Sequence, residues 1–173
     1  MILQAVGGGL IVLSTSAIGC LLAGRMKEQE RLLSAIRQAV LFLTGELNYR
    51  RLPLPEAFAA VAERQQGHLR LFFGTMAEAL QKKEGSSFTE RWCREAERWL
   101  SGSPLNREQQ TEFLELGESL LIADEESRTR ALELYGRRLE EELLQLARTG
   151  KDQRYLYRML GILSGMFLWI LVI

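Results

Sequence analysis

Histidine occurs once in this 173-residue chain, cysteine twice and proline three times. Each shortage excludes something. A zinc site needs three or four ligands, and His68 has no cluster of Cys, Asp or Glu at ligand spacing around it. Nucleophilic catalysis needs a base oriented beside a Ser or Cys, whereas His68 sits between Gly67 and Leu69 at an expected helix start and reads as a surface or capping residue. Cys20 lies in an apolar stretch and Cys93 in a charged one, so no disulfide framework is indicated, which fits a reducing compartment. Gly7-Gly8-Gly9 is followed by no Gly-Lys-Ser/Thr, so it is not a phosphate loop. With no metal set, cofactor motif or catalytic dyad, the chain carries no enzyme signature. Its net charge is zero, which removes the electrostatic case for a nucleic-acid partner.

The largest absence is charge at the two ends. Residues 1–24 and 159–173 contain no Asp, Glu, Lys or Arg, so all 22 basic and 22 acidic residues fall in residues 25–158. The chain is apolar, charged, apolar. Residues 2–24 would span about 34 Å as a helix, enough for a hydrocarbon core of about 30 Å. No basic residue precedes this run, as a cleaved signal peptide would need, so it reads as an uncleaved transmembrane helix. Residues 159–173 would span only about 22 Å. Their extreme apolarity and the flanking Tyr155, Tyr157 and Arg158 favour a second transmembrane segment, because aromatic rings and snorkelling Arg extend the usable length. An interfacial anchor is the alternative.

Arg25, Lys27 and Arg31 follow the first segment, and Lys151, Arg154 and Arg158 precede the second. The positive-inside rule then places residues 25–158 in the cytoplasm and both termini outside. Arg25, Lys27, Tyr155, Tyr157 and Arg158 are the expected interface anchors. Gly161, Ser164 and Gly165 on the second segment, and Gly9, Cys20 and Gly24 on the first, are small residues that let helices approach closely in lipid. They suit either mutual packing of the two segments or homo-oligomerisation.

The middle shows no sustained two-residue alternation, and its apolar residues recur at helical spacing. The first helix is expected to continue to about Tyr49 along Leu32, Leu33, Ile36, Val40, Leu43 and Leu47, and to stop at Leu52-Pro53-Leu54-Pro55. A second starts at Pro55 and carries Phe58, Val61 and Ala62. A third spans about His68 to Lys83, with Leu69, Phe72, Phe73, Met76 and Leu80. Gly85-Ser86-Ser87 makes a turn, with Ser87 able to cap a fourth helix bearing Phe88, Trp92, Ala96, Trp99 and Leu100. Asn106 can cap a fifth with Phe113, Leu116, Leu120 and Leu121. Asp124 can cap a sixth with Leu132, Tyr135, Leu139, Leu143 and Leu146, running on through Arg158. The expected fold is therefore all-α: a cytosolic six-helix bundle over residues 25–158, whose first and last helices continue into transmembrane helices at 2–24 and 159–173.

Two features have two readings each, and a third has one. Trp92 and Trp99, seven apart on one face, are core residues or an exposed anchor for a partner. Asp124-Glu125-Glu126 favours a helix dipole or forms a docking patch. Arg137-Arg138 with Glu141-Glu142 reads as an ion-paired solvated face. Physics alone stops at a membrane-tethered cytosolic interaction module.

Three local patterns go further. Glu46-Leu47-Asn48-Tyr49, followed by Pro53-Leu54-Pro55-Glu56-Ala57-Phe58, resembles the Glu-apolar-x-Tyr and Pro-Leu-x-Glu-Ala pattern of the stage III sporulation protein AB family of endospore-forming bacteria. Leu116-Gly117 with downstream Asp124 is similar to its Leu-Gly-x-x-Leu-Gly and Asp. Tyr157-Arg158-Met159-Leu160-Gly161-Ile162-Leu163-Ser164-Gly165 looks like its closing x-Leu-Gly-x-Leu-x-Gly. The family's second Leu-Gly is Leu120-Leu121 here, and its Gln after the Asp is Arg128 or Thr129. The resemblance implies a subunit of the channel joining mother cell and forespore. It also implies a fold similar to the inner-membrane platform protein of type II secretion and type IV pilus machines, which sits over a cytosolic ATPase. A mother-cell-side domain at the outer forespore membrane would follow, with other membrane subunits of the channel as neighbours. With no Walker motif here, the secretion-type ATPase would be a separate chain, docking near Glu46, Tyr49 and Arg50 and near Asp124, Glu125 and Glu126. A platform component of a type II secretion or pilus machine is the alternative.

Overall fold

A computed structural model describes residues 2–82 and 87–172, with side chains over 24–82, 87–148 and at Met159. The described residues form six helices and no strand: α1 (Ile2–Asn48), α2 (Leu54–Arg64), α3 (Gly67–Gln81), α4 (Phe88–Leu100), α5 (Arg107–Leu120) and α6 (Glu125–Val172). The backbone clusters into two compact units. One comprises Met1–Glu30 and Leu144–Ile173, the other Arg31–Leu143. The first unit is thus the two ends of the chain gathered together. Among the described residues no helix is long and apolar enough to cross a membrane. Apart from Gly24 and Met159, the side chains of the two apolar segments lie outside the described residues.

Helix ends in the second unit follow local chemistry. Arg51 takes a left-handed backbone (φ 50°), uncommon outside glycine. This turn brings the Leu52 N–H back to the Glu46 carbonyl at 3.1 Å. Pro53 stands at the N-cap of α2 with proline in its first turn, where no intrahelical donor is lost. The helix therefore begins one residue ahead of the expected Pro55. Gly67 opens α3 at φ 60°. Ser87 caps α4, its hydroxyl accepting from the Glu90 N–H at 3.2 Å; residues 85 and 86 of the expected turn lie outside the described residues. Asn106 and Gln109 form a reciprocal capping box at the start of α5, which satisfies two orphan donors at once.

The interior of this unit is aromatic. Phe72 meets Trp92 at 5.0 Å between ring centroids and Phe113 at 5.4 Å, while Phe58 meets Phe73 at 5.6 Å. Such offset and edge contacts add to the area they bury. Trp92 is fully buried, and its indole N–H donates to the Phe113 carbonyl at 3.3 Å, so the one polar atom of the ring is satisfied. Trp99 packs 4.8 Å from Phe113. Trp92 is a core residue, and Trp99 is half-buried. Gly117 of α5 lies flat against Trp92: a Cβ placed there would come within 2.3 Å of the indole Cδ1. A glycine in mid-helix costs about 1 kcal/mol relative to alanine, and here the ring requires it.

Within this unit α1 and α6 run antiparallel in fixed register. Thr129 Oγ1 lies 2.9 Å from Asn48 Oδ1. A Cβ on Gly136 would meet Leu41 Cδ2 at 3.9 Å. Arg37 pairs with Glu140 at 3.0 Å. From Asn48 to Leu41 to Arg37 the steps are seven and four, and from Thr129 to Gly136 to Glu140 they are the same in the opposite direction. That is the heptad spacing of a helix seam.

A candidate partner-binding corner

The seam brings the end of α1 beside the start of α6. Glu46–Arg50 and Asp124–Glu126, far apart in sequence, share one corner, joined by Thr129 and Asn48. Glu46 lies three residues past Leu43 and seven past Ala39, so helical periodicity puts it on the buried stripe. It is 4% exposed, and its Oε2 accepts from the Arg50 guanidinium at 2.9 Å. Asp124 caps α6, its Oδ2 accepting from the Ser127 N–H at 2.8 Å. The Ser127 side chain and backbone donors hold the Asp124 carboxyl below its ordinary range. Glu126 pairs with Arg130 one turn on. These acids are engaged by their own helix ends.

Tyr49 is different. It is the most exposed large hydrophobic side chain among the described residues, at 90%. Glu125 and Arg51 are also exposed, and Arg50 keeps most of its guanidinium in solvent while holding Glu46. The corner therefore presents an exposed phenol together with exposed charges of both signs. Cation–π contact or stacking on an exposed tyrosine, with ion pairs at the rim, is the chemistry it offers a protein partner.

The other expected positions are distributed as follows. Arg25 and Lys27 are exposed. A Cβ at Gly24 would meet nothing within 4 Å. The side chains of Tyr155, Tyr157, Arg158, Gly161, Ser164, Gly165, Gly9 and Cys20 lie outside the described residues. His68 is exposed in the first turn of α3.

One feature corrects the sequence reading. Arg138 and Glu142 do not simply lace a solvated face of α6. Arg138 reaches Glu112 of α5 at 3.6 Å, and Glu142 accepts from Gln109 Nε2 at 2.8 Å. They sit one turn apart and both reach α5, although Arg138, like Arg137 and Glu141, remains exposed. Glu112 and Tyr135 complete this seam beside a cleft of about 130 Å³ whose lining includes Leu116 and Leu134. Burial pushes the Glu112 carboxyl up, assisted by Glu142, and pushes the Tyr135 phenol above its usual range. The sequence clue was an acid and an amide three apart on α5 (Gln109, Glu112), flanking a buried Phe113.

The architecture is that of an all-α bundle whose first and last helices run out along the two apolar ends of the chain. The stage III sporulation protein AB family model matches residues 4–173, and the chain belongs to that family, a component of sporulation. A solved structure of a stage III sporulation protein AB shares the fold, with a TM-score of 0.64 at 21% identity, covering 72% of this chain and 97% of that one. No curated protein sequence matches the chain.

Proposed function

We propose that this chain is a non-enzymatic membrane platform subunit of the sporulation channel between mother cell and forespore, coupling a separate secretion-type ATPase to the membrane complex. The apolar ends would cross the bilayer as a pair and hold residues 25–158 on the cytoplasmic side. Supporting the paired anchor are the positive flanks, the small-residue stripes at Gly9/Cys20 and Gly161/Ser164/Gly165, and the gathering of both ends into one compact unit. The two chain termini would lie outside, and other channel subunits would pack alongside in the membrane.

One observation carries the docking role. Two of the three segments that carry the family resemblance meet at one corner, and the residue most fully presented there is Tyr49. Because Glu46, Asp124 and Glu126 serve the fold, the partner contact falls on Tyr49, Glu125 and the outer edge of Arg50. Co-purification of the full chain in detergent with the cognate ATPase tests this. Tyr49→Ala combined with Glu125→Lys should reduce capture at least tenfold, the loss of one exposed aromatic hot spot with its rim charge, without changing the melting midpoint. Undiminished capture would remove the corner from the interface.

A further inference from the structure

The α5–α6 seam holds acidic groups in an arrangement that the docking role does not use. Glu142 is fixed as an acceptor. The amide oxygen of Gln109 takes the Asn106 N–H at 3.0 Å, and its nitrogen donates to Glu142 Oε2 at 2.8 Å. Gln109 is thus oriented by the α5 capping box and cannot turn over without breaking it. Glu112 stands one turn further along α5. Its Oε1 has a long contact to Arg138 at 3.6 Å. Its Oε2 is buried with no hydrogen-bond partner. A carboxylate oxygen buried without a donor is costly, and the cost is carried by the charge.

The groups facing Glu112 are Glu142, Arg138 and Tyr135 from α6, and Glu108 and Glu115 from its own helix. One partly exposed guanidinium opposes three carboxylates. Taking up a proton removes the charge from the orphaned oxygen and turns Glu112 from a second anion opposite Glu142 into a potential donor. Glu142 already has an oriented amide donor at its Oε2.

We infer that the α5–α6 seam is a proton-responsive contact in which packing of the helices favours the protonated form of Glu112 and their separation favours release of the proton. The carboxyl is raised in the folded chain from an ordinary value near 4.5. Between that value and its raised one, the folded state holds more protons than the unfolded state. Stability is then greatest on the acid side of this window and falls as pH rises through it. Asp124 works in the opposite sense, and its window lies below its ordinary value of 3.8, so the two do not overlap.

Thermal unfolding of the full chain in detergent micelles, followed by tryptophan fluorescence from pH 4.5 to 7.5, tests the inference. The wild-type midpoint should fall across the window. Glu112→Gln, which is neutral throughout, should flatten the profile and melt about 2–4 °C above wild type at pH 7.5. Glu142→Gln should flatten it as well, by removing the opposing charge. Arg138→Met should extend the fall to higher pH. Glu118→Gln, at an exposed position on α5 and not among the groups facing Glu112, should track the wild type. Parallel curves for wild type and Glu112→Gln, or a Glu112→Gln midpoint below wild type at pH 7.5, would overturn it. A Glu142→Gln profile parallel to wild type would do the same independently.

Discussion

Gly117 and Gly136 both sit in the middle of helices and both are buried, yet the contacts around them are unlike. At Gly117 the α4–α5 packing is closed by a flat indole that leaves no space for a methyl group; at Gly136 the α1–α6 seam leaves ordinary van der Waals room before Leu41. The first contact is fixed by the shape of one ring. The second is fixed by register, through polar and apolar pairs repeated at heptad steps. A unit built this way has a rigid aromatic interior and a long seam that tolerates small changes at any one level. The two contacts should therefore respond to the same chemical change with opposite signs.

The largest effect is expected at the ring. Gly117→Ala drives a Cβ into Trp92, which is hemmed in by Phe58, Phe72 and Phe113 and has nowhere to move. Overpacking of this kind costs about 3 kcal/mol, more than the helix propensity gained. Urea unfolding of the full chain in detergent measures it. Trp92→Phe removes the clashing edge, so adding it to Gly117→Ala should cost less than the sum of the two single changes. Strict additivity would mean that the indole is not what requires the glycine.

The next effect lies where the seam ends. Arg50→Ala leaves the inward-facing carboxylate of Glu46 without the guanidinium that now reaches it. About 1–2 kcal/mol should be lost, the scale for a buried acceptor deprived of a charged donor, and Glu46→Gln in the same chain should restore part of it. If Arg50→Ala melts like the wild type, the pair is a surface ornament of the kind that contributes little.

These cases show what could be read from the sequence. The caps at Ser87, Asn106 and Asp124 were legible because a cap is satisfied within three residues of itself. Most of the apolar stripes and the burial of Trp92 were legible because burial follows helical spacing, whereas Leu121, expected on the α5 stripe, is the exposed C-cap residue and Trp99 is half-buried. The inward turn of Glu46 was available from the same spacing, three residues past Leu43, but its charge argued for the surface. What could not be read depended on which helix faces which. Gly117 needs Trp92 from another helix; Glu112 and Glu142 meet only after α5 lies on α6; the corner that presents Tyr49 exists only because α1 and α6 are in register at Asn48 and Thr129. Local patterns specify elements and their buried faces, whereas pairing between distant faces is decided by packing.

The smallest effect is the one that separates the two contacts most cleanly. Gly136→Ala adds a methyl group at 3.9 Å from Leu41 Cδ2, a normal packing distance that buries a little more apolar surface. The helix also loses a residue whose backbone freedom opposes folding. The expected result is a gain of about 0.5–1 kcal/mol, seen as a small rise in the urea midpoint with an unchanged slope. Set against the loss at Gly117, the same substitution would then stabilise one helix contact and break the other. A loss at Gly136 would mean that α1 and α6 approach more closely than Leu41 allows, and that the seam, like the aromatic interior, depends on a glycine that cannot be replaced.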